Sequence, residues 1–139
     1  MRGTGYAFSA PAEWQVNRRL KEIRAEDGTD LLSVRRYALQ REFQPQLWNE
    51  VVPELDQAAD GVAAQQNATV KERRTMKIAG RDARHYTIDY EHQGQDLTEE
   101  LGFVLRGKTE YLLLCRYERG GDRGACERLL ATFSLSRQG

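Results

Sequence analysis

The chain has no long apolar run, no excess of one charge and few of the residues that usually carry chemistry. Its 139 residues hold only two cysteines, two histidines, two tryptophans and three prolines. No stretch approaches the roughly 18 consecutive apolar residues of a membrane-spanning helix. The longest run, Leu112-Leu113-Leu114-Cys115, has the length of a strand. Lys+Arg and Asp+Glu both total 21, so the formal net charge is zero. That balance argues against a nucleic-acid binder, which carries a clear positive excess. The local pairs Arg18-Arg19, Arg35-Arg36 and Arg73-Arg74 have acids such as Glu22, Glu42 and Glu72 close by and read as solvated strand and loop edges. Met1 to Gly5 lacks the hydrophobic region of a signal peptide, so an export signal or membrane tether would have to come from a segment outside this sequence.

Catalytic motifs are missing as well. There is no G-x-S-x-G, C-x-x-C or H-E-x-x-H. Glu99 and Glu100 are adjacent on a predicted strand, so they point to opposite faces and cannot act as a paired acid and base. His85 and Asp89 share a strand face, but four residues span about 13 Å, too far to share a metal. Both histidines, His85 and His92, are therefore expected to face solvent on a strand or in a loop. Gly120-Gly121-Asp122-Arg123-Gly124 lacks the Lys-Ser/Thr ending of a phosphate loop, and a turn followed by an Asp122 N-cap explains it. No catalytic residue, cofactor or metal site is predicted.

What is present is the balance of an ordinary single globular domain, residues 1–139, with 30% charged and 40% hydrophobic residues. Tyr6-Ala7-Phe8 reads as a short strand ended by Pro11, and Trp14 is expected in the core. An extended segment runs from Trp14 through Glu26, and a strand follows over Leu31 to Leu39. From Gln46 to Gln66, Leu47, Val51, Leu55, Ala58, Ala59 and Val62 recur at helical spacing. Pro53 sits inside that stripe, where proline costs about 3 kcal/mol. The favoured expectation is a helical turn ending near Val52 and a main helix starting at Pro53. Val70 to Ile78, Arg84 to Tyr90, Leu97 to Leu105 and Glu110 to Tyr117 read as strands, the last three forming an antiparallel meander with turns at His92–Gln95 and Gly107-Lys108. A short helix carries Ala125, Cys126, Leu129, Leu130 and Phe133, and Phe133 to Ser136 can add an edge strand. The fold class is α+β, with an antiparallel sheet of about five to seven strands flanked by helices.

Cys115 lies on the strand face of Tyr111 and Leu113, and Cys126 on the helix face of Leu129 and Leu130. Both point at the sheet–helix interface, where a disulfide is predicted; two packed thiols are the alternative. A bridge implies an oxidising compartment. Phe43, Leu47 and Trp48, clustered around the start of the helix stripe, are the candidate partner-binding residues, with packing as the competing role.

Three segments carry a family resemblance. Tyr6-Ala7-Phe8-Ser9-Ala10-Pro11-Ala12-Glu13-Trp14 resembles the aromatic-x-Phe-x-x-Pro-x-x-Trp opening of PsbP-like domains. Ile78-Ala79-Gly80-Arg81-Asp82-Ala83 with Tyr86 resembles their central strand–turn–strand, and Cys126 to Phe133 their terminal helix. That superfamily includes a photosystem II extrinsic protein, a Ran-binding transport factor and bacterial lipoproteins. The resemblance implies a sheet sandwiched by helices (α/β/α) and a non-enzymatic, partner-binding role. Phe43 through Leu55 and the cysteines make the chain look most like extracytoplasmic actinobacterial lipoproteins. The expected function is a non-catalytic extracytoplasmic binding or assembly module for a protein or envelope component. A carrier holding a small apolar ligand between sheet and helix is the alternative, and an enzyme of unrecognised type the least expected.

Overall fold

A computed structural model describes residues 1–136 of the chain. The first two strands, β1 (Arg2–Gly3) and β2 (Tyr6–Ala7), are short. The stretch expected to be one extended segment is instead a hairpin, β3 (Gln15–Arg19) and β4 (Glu22–Asp27), turning at Leu20-Lys21. No Gly, Pro, Asn or Asp marks that turn, which is why turn chemistry did not reveal it. Next come β5 (Asp30–Phe43) and a short 3₁₀ turn (Pro45–Leu47), followed by helix α1 (Trp48–Gln65).

Contrary to expectation, α1 does not begin at Pro53 but runs through it. The missing proline N–H frees the carbonyl of Asn49, and both residues lie on the exposed side of the helix, within reach of solvent. Meanwhile Trp48 and Val51, in the first turn, pack against the sheet and hold that turn in the helix.

The remaining strands are β6 (Val70–Ile78), β7 (Arg81–His92) and β8 (Gln95–Glu118), followed by α2 (Gly124–Thr132) and β9 (Ser134–Leu135). The 24 residues of β8 would span about 80 Å if straight. They fold back on themselves: the Arg119 amide donates to the Asp96 carbonyl at 3.0 Å, and a Cβ placed on Gly102 would sit 3.8 Å from that of Leu113. The reversal is the predicted one at Gly107-Lys108, with Gly107 at φ 57°, a conformation that suits glycine. One arm pairs with β7 through residues 95–103, and the other with β5 through 107–116. The main sheet therefore runs β3-β4-β5-β8-β7-β6, antiparallel at every pairing, with both arms of β8 at its centre.

The final strand does not extend this sheet. β9 pairs with β2, and with β1 they form a separate three-stranded sheet. The helix–sheet layers make an α+β fold.

The two faces bury separate cores. On one, Leu55, Ala59 and Ala63 of α1 meet Tyr86, Ile88 and Tyr90 of β7 and Leu97, Leu101, Phe103 and Leu105 of β8. On the other, α2 and the small sheet cover Ile23, Leu32, Val34, Tyr111 and Leu113, with Tyr6, Phe8 and Phe133 stacked together. Trp14 reaches this second core only from its edge and stays half-buried. No helix is long and apolar enough to cross a membrane among the described residues.

Cys115 and Cys126 are bonded across the β8–α2 interface, with Cα atoms 5.6 Å apart and 11 residues of separation. Both are buried, so the bridge ties α2 to the centre of the sheet. Titrating the denatured, non-reduced protein with a thiol reagent will find no free thiol; two thiols per chain would refute the bridge. Replacing both cysteines with alanine lowers the unfolding free energy by about 2–3 kcal/mol in urea titration.

Candidate functional site

Each helix is pinned to the sheet by a carboxylate. On α1, Asp56 accepts from Arg84 Nε at 3.0 Å and from the Tyr86 hydroxyl at 2.6 Å, with Arg73 at 3.8 Å. Burial pushes this carboxyl up, but the hydrogen bonds outweigh it and hold the pKa below its usual value. Arg73, one of the paired arginines of the sequence, also bridges Asp60 of α1 at 2.9 Å.

The clasp on α2 is denser. Glu100 is only 3% exposed and accepts from His85 Nε2 at 2.7 Å, the Tyr117 hydroxyl at 2.6 Å, and Arg123 Nε and Nη2 at 2.6 and 2.9 Å. Here too burial pushes the carboxyl up, and the bonds from His85, Arg123 and Tyr117 overcome it to leave the pKa far below the ordinary range. An ionised carboxylate only accepts, so Nε2 of His85 carries the proton in this bond. His85 is thus a buried core histidine, 4% exposed, and not the solvent-facing residue expected. Glu100, from the neighbouring strand β8, gives the ring a partner away from solvent. His92 is exposed at the end of β7, as expected. Asp89 belongs to another set, accepting from Thr98 at 2.7 Å and Lys71 at 3.2 Å.

Glu99 faces the opposite side, as strand alternation requires, and is also buried, at 6% exposure. It accepts from the Tyr90 hydroxyl at 3.0 Å. Burial dominates and raises its pKa; burial, reinforced by Glu99, pushes the Tyr90 phenol up to about 12. Glu100 also lies with Cys115 and Cys126 in a triad whose potential ligand atoms fall within 4.8 Å. The two sulfurs are bonded to each other, so neither offers a thiolate. With its oxygens occupied by Arg123, Tyr117 and His85, Glu100 is suited to anchoring α2 and poorly suited to moving protons. A buried paired polar group missed in the sequence had one available signal: two glutamates inside an otherwise apolar run.

The predicted partner-binding residues do come together. Phe43 ends β5, Leu47 closes the 3₁₀ turn and Trp48 opens α1. The Phe43 and Trp48 rings meet edge to face, with centroids 6.5 Å apart. All three side chains are half-buried, so packing and display both apply. Phe43 and Leu105 are shared between two neighbouring grooves that are open to solvent.

The first groove, about 430 Å³, runs between α1 and the end of β5. Its apolar wall includes Leu39, Leu47, Val51, Leu55 and Ala58, and Glu110 stands in it. Burial alone raises the Glu110 carboxyl. Beside the groove β5 loses register against β8 between Ala38 and Phe43, so residues 39–42 bulge from the ladder before Phe43 pairs again with Gly107. The second groove, about 450 Å³, lies under Trp48 and Pro45 and is bordered by Lys77, Arg81 and Asp82 at the β6–β7 turn.

No family model and no curated protein matches the chain. Solved structures do. A protein of Bacteroides thetaiotaomicron VPI-5482 superposes with a TM-score of 0.64 and 13% identity, over 96% of this chain and 46% of its own. The chain spans less than half the length of that protein. LpqN of Mycobacterium tuberculosis, a protein involved in cell envelope biogenesis, superposes with a TM-score of 0.62 and 11% identity over 94% of this chain and 83% of its own. At these identities the likeness is one of fold.

The adjacent glutamates predict opposite pH behaviour. The folded pKa of Glu100 lies below its unfolded value, so its stabilisation is complete above about pH 5 and drains away as pH falls. That of Glu99 is raised, so its ionisation penalises the fold near neutrality and the penalty vanishes in acid. In urea unfolding at about pH 7, Glu100→Gln therefore destabilises, by about 2–3 kcal/mol given that Arg123 is partly exposed, while Glu99→Gln stabilises. Both differences shrink towards about pH 4, and shifts of the same sign would contradict this assignment.

Proposed function

We propose that this chain is a non-catalytic binding or assembly module of the cell envelope, working outside the cytoplasm. The observation that carries this reading is the pair of open grooves around Phe43, where the irregular end of β5 meets the start of α1. Half-buried Phe43, Leu47 and Trp48 supply apolar anchors, and the charged side chains of Arg41, Glu42, Glu54, Lys77 and Arg81 rim them. An apolar centre inside a polar rim is the anatomy of a recognition patch. The bonded cysteines support an oxidising compartment, and the envelope context of LpqN agrees with it. An α+β fold with an antiparallel sheet between helices agrees with what the PsbP-like, lipoprotein-type resemblance of the sequence implies. The partner in this reading is a protein or an envelope component, and no cofactor takes part.

A second reading follows from the first groove. Its volume of about 430 Å³ and its Leu, Val and Phe lining suit a small apolar ligand held between sheet and helix. Openness to solvent favours the macromolecular partner, because a carrier of an apolar cargo gains most from enclosing it.

A photo-crosslinking side chain placed at Leu47 separates the two. The control position is Glu91, near the end of β7 and about 33 Å of strand from Arg81. A discrete high-mass adduct from the Leu47 position, lost when Val51→Glu charges the groove, is the expected result. A low-mass adduct alone would favour the carrier, and equal labelling from both positions would remove the grooves from the function.

A further inference from the structure

The turn between β3 and β4 holds the most exposed large apolar side chain of the described residues. Leu20 is 89% exposed, whereas Met1, Val16 and Tyr37 reach only 36%, 37% and 39%. Nothing in the hairpin requires a leucine there, since Arg19 pairs with Glu22 and leaves Leu20 and Lys21 as the bare tip. Around the tip the tertiary structure gathers Arg2, Arg18, Arg19, Lys21 and Arg36 along one shallow basin of about 260 Å³. Arg18 reaches Arg2 directly, its Nη1 donating to the Arg2 carbonyl at 2.8 Å. Among the described residues none of these five cations forms a salt bridge; the ion pairs use other arginines and lysines. Glu22, the single acid in the basin, is engaged by the Ser33 hydroxyl at 2.8 Å. A chain with no net charge thus concentrates unpaired positive charge at one end, around a protruding leucine.

From this arrangement we propose that the β3–β4 tip is a docking surface for an anionic lipid bilayer, with Leu20 inserted at the interface and Arg2, Arg18, Arg19, Lys21 and Arg36 on lipid phosphates. Cations near an anionic leaflet are attracted over a Debye length, and an apolar side chain among them gains by leaving water. A nucleic acid would use the same cations but has no use for a bare leucine, and the only aromatic in the basin, Tyr6, is buried and cannot stack on a base. The surface is separate from the grooves at Phe43: the two basins share no lining residue, so both can be occupied at once.

The test is sedimentation of the whole chain with large unilamellar vesicles of phosphatidylcholine, with or without about 40 mol% phosphatidylglycerol, in about 0.1 M salt. The protein is expected on the anionic vesicles, not on the neutral ones, and is released by about 0.5 M salt. Arg18→Ala, Arg19→Ala and Lys21→Ala together lower partition roughly 100-fold. Leu20→Ser lowers it about tenfold, a loss that charge alone would not produce. All four positions are exposed and the Arg18 bond to the Arg2 carbonyl lies at the surface, so melting temperatures stay close to the parent value and confirm that the variants fold. Equal binding to neutral vesicles, no binding to anionic ones, undiminished binding by both variants, or capture of a soluble DNA duplex without vesicle binding would each overturn the proposal.

Discussion

The two-residue reversal at Gly107-Lys108 is the constraint from which the rest of the architecture follows. It makes residues of odd number on the first arm of β8 share a face with residues of even number on the second. Leu101 and Phe103 therefore look the same way as Leu112 and Leu114, under α1. Val104, Tyr111 and Leu113 look the other way, under α2 and the small sheet. Because this hairpin occupies the middle of the main sheet, it lends apolar surface to both cores. A one-residue change in the turn would exchange every side chain of one arm between them. Gly107 meets the left-handed backbone of that turn without the strain a Cβ would bring.

A sheet buried on both faces leaves no solvated side for polar residues near its centre, yet β8 places Glu99 and Glu100 there. Their fates differ because their neighbours differ. Glu100 faces α2, whose N-cap residue is Arg123, and it also meets His85 and Tyr117; the donors more than offset the loss of water. Glu99 faces the α1 side and finds the Tyr90 hydroxyl, so burial prevails. With the disulfide beside Glu100, one covalent and one ionic tie fasten a helix of nine residues that would be marginal alone.

Both proposed recognition surfaces lie towards the ends of the sheet. At the end of β5, the grooves between strand and helix lie beside the lost register. At the β3–β4 tip, an edge hairpin with every residue of β3 exposed carries cations and a leucine into solvent. The tip bears none of the core packing, whereas the grooves are floored by core residues such as Leu55 and Leu105 and leave Phe43, Leu47 and Trp48 half-buried for contact with something else. Of the candidate site, the cluster Phe43, Leu47 and Trp48 was legible because aromatic and apolar residues crowd the start of a helix stripe. The grooves beside it were not, because the gap between strand and helix, like the register slip next to it, has no sequence signature.

By itself the sequence determined the alternation of the strands, the α1 stripe apart from Ala58, which is exposed, and Ala63, which is buried, the turns at His92–Gln95 and Gly107-Lys108, and the facing of the two cysteines, since each is a matter of spacing along the chain. Those local periods sufficed for the α+β class and for placing β7 and both arms of β8 as a meander. Only the tertiary structure decided that α1 runs through Pro53, that His85 is buried against Glu100, that β9 leaves the main sheet for β2, and that Arg2 and Arg36 join Arg18, Arg19 and Lys21 around Leu20. Each of these brings together residues distant in sequence or depends on which side of an element faces water. Chain periodicity carries no information about either, because burial is a property of what packs across a gap and not of the residue that borders it.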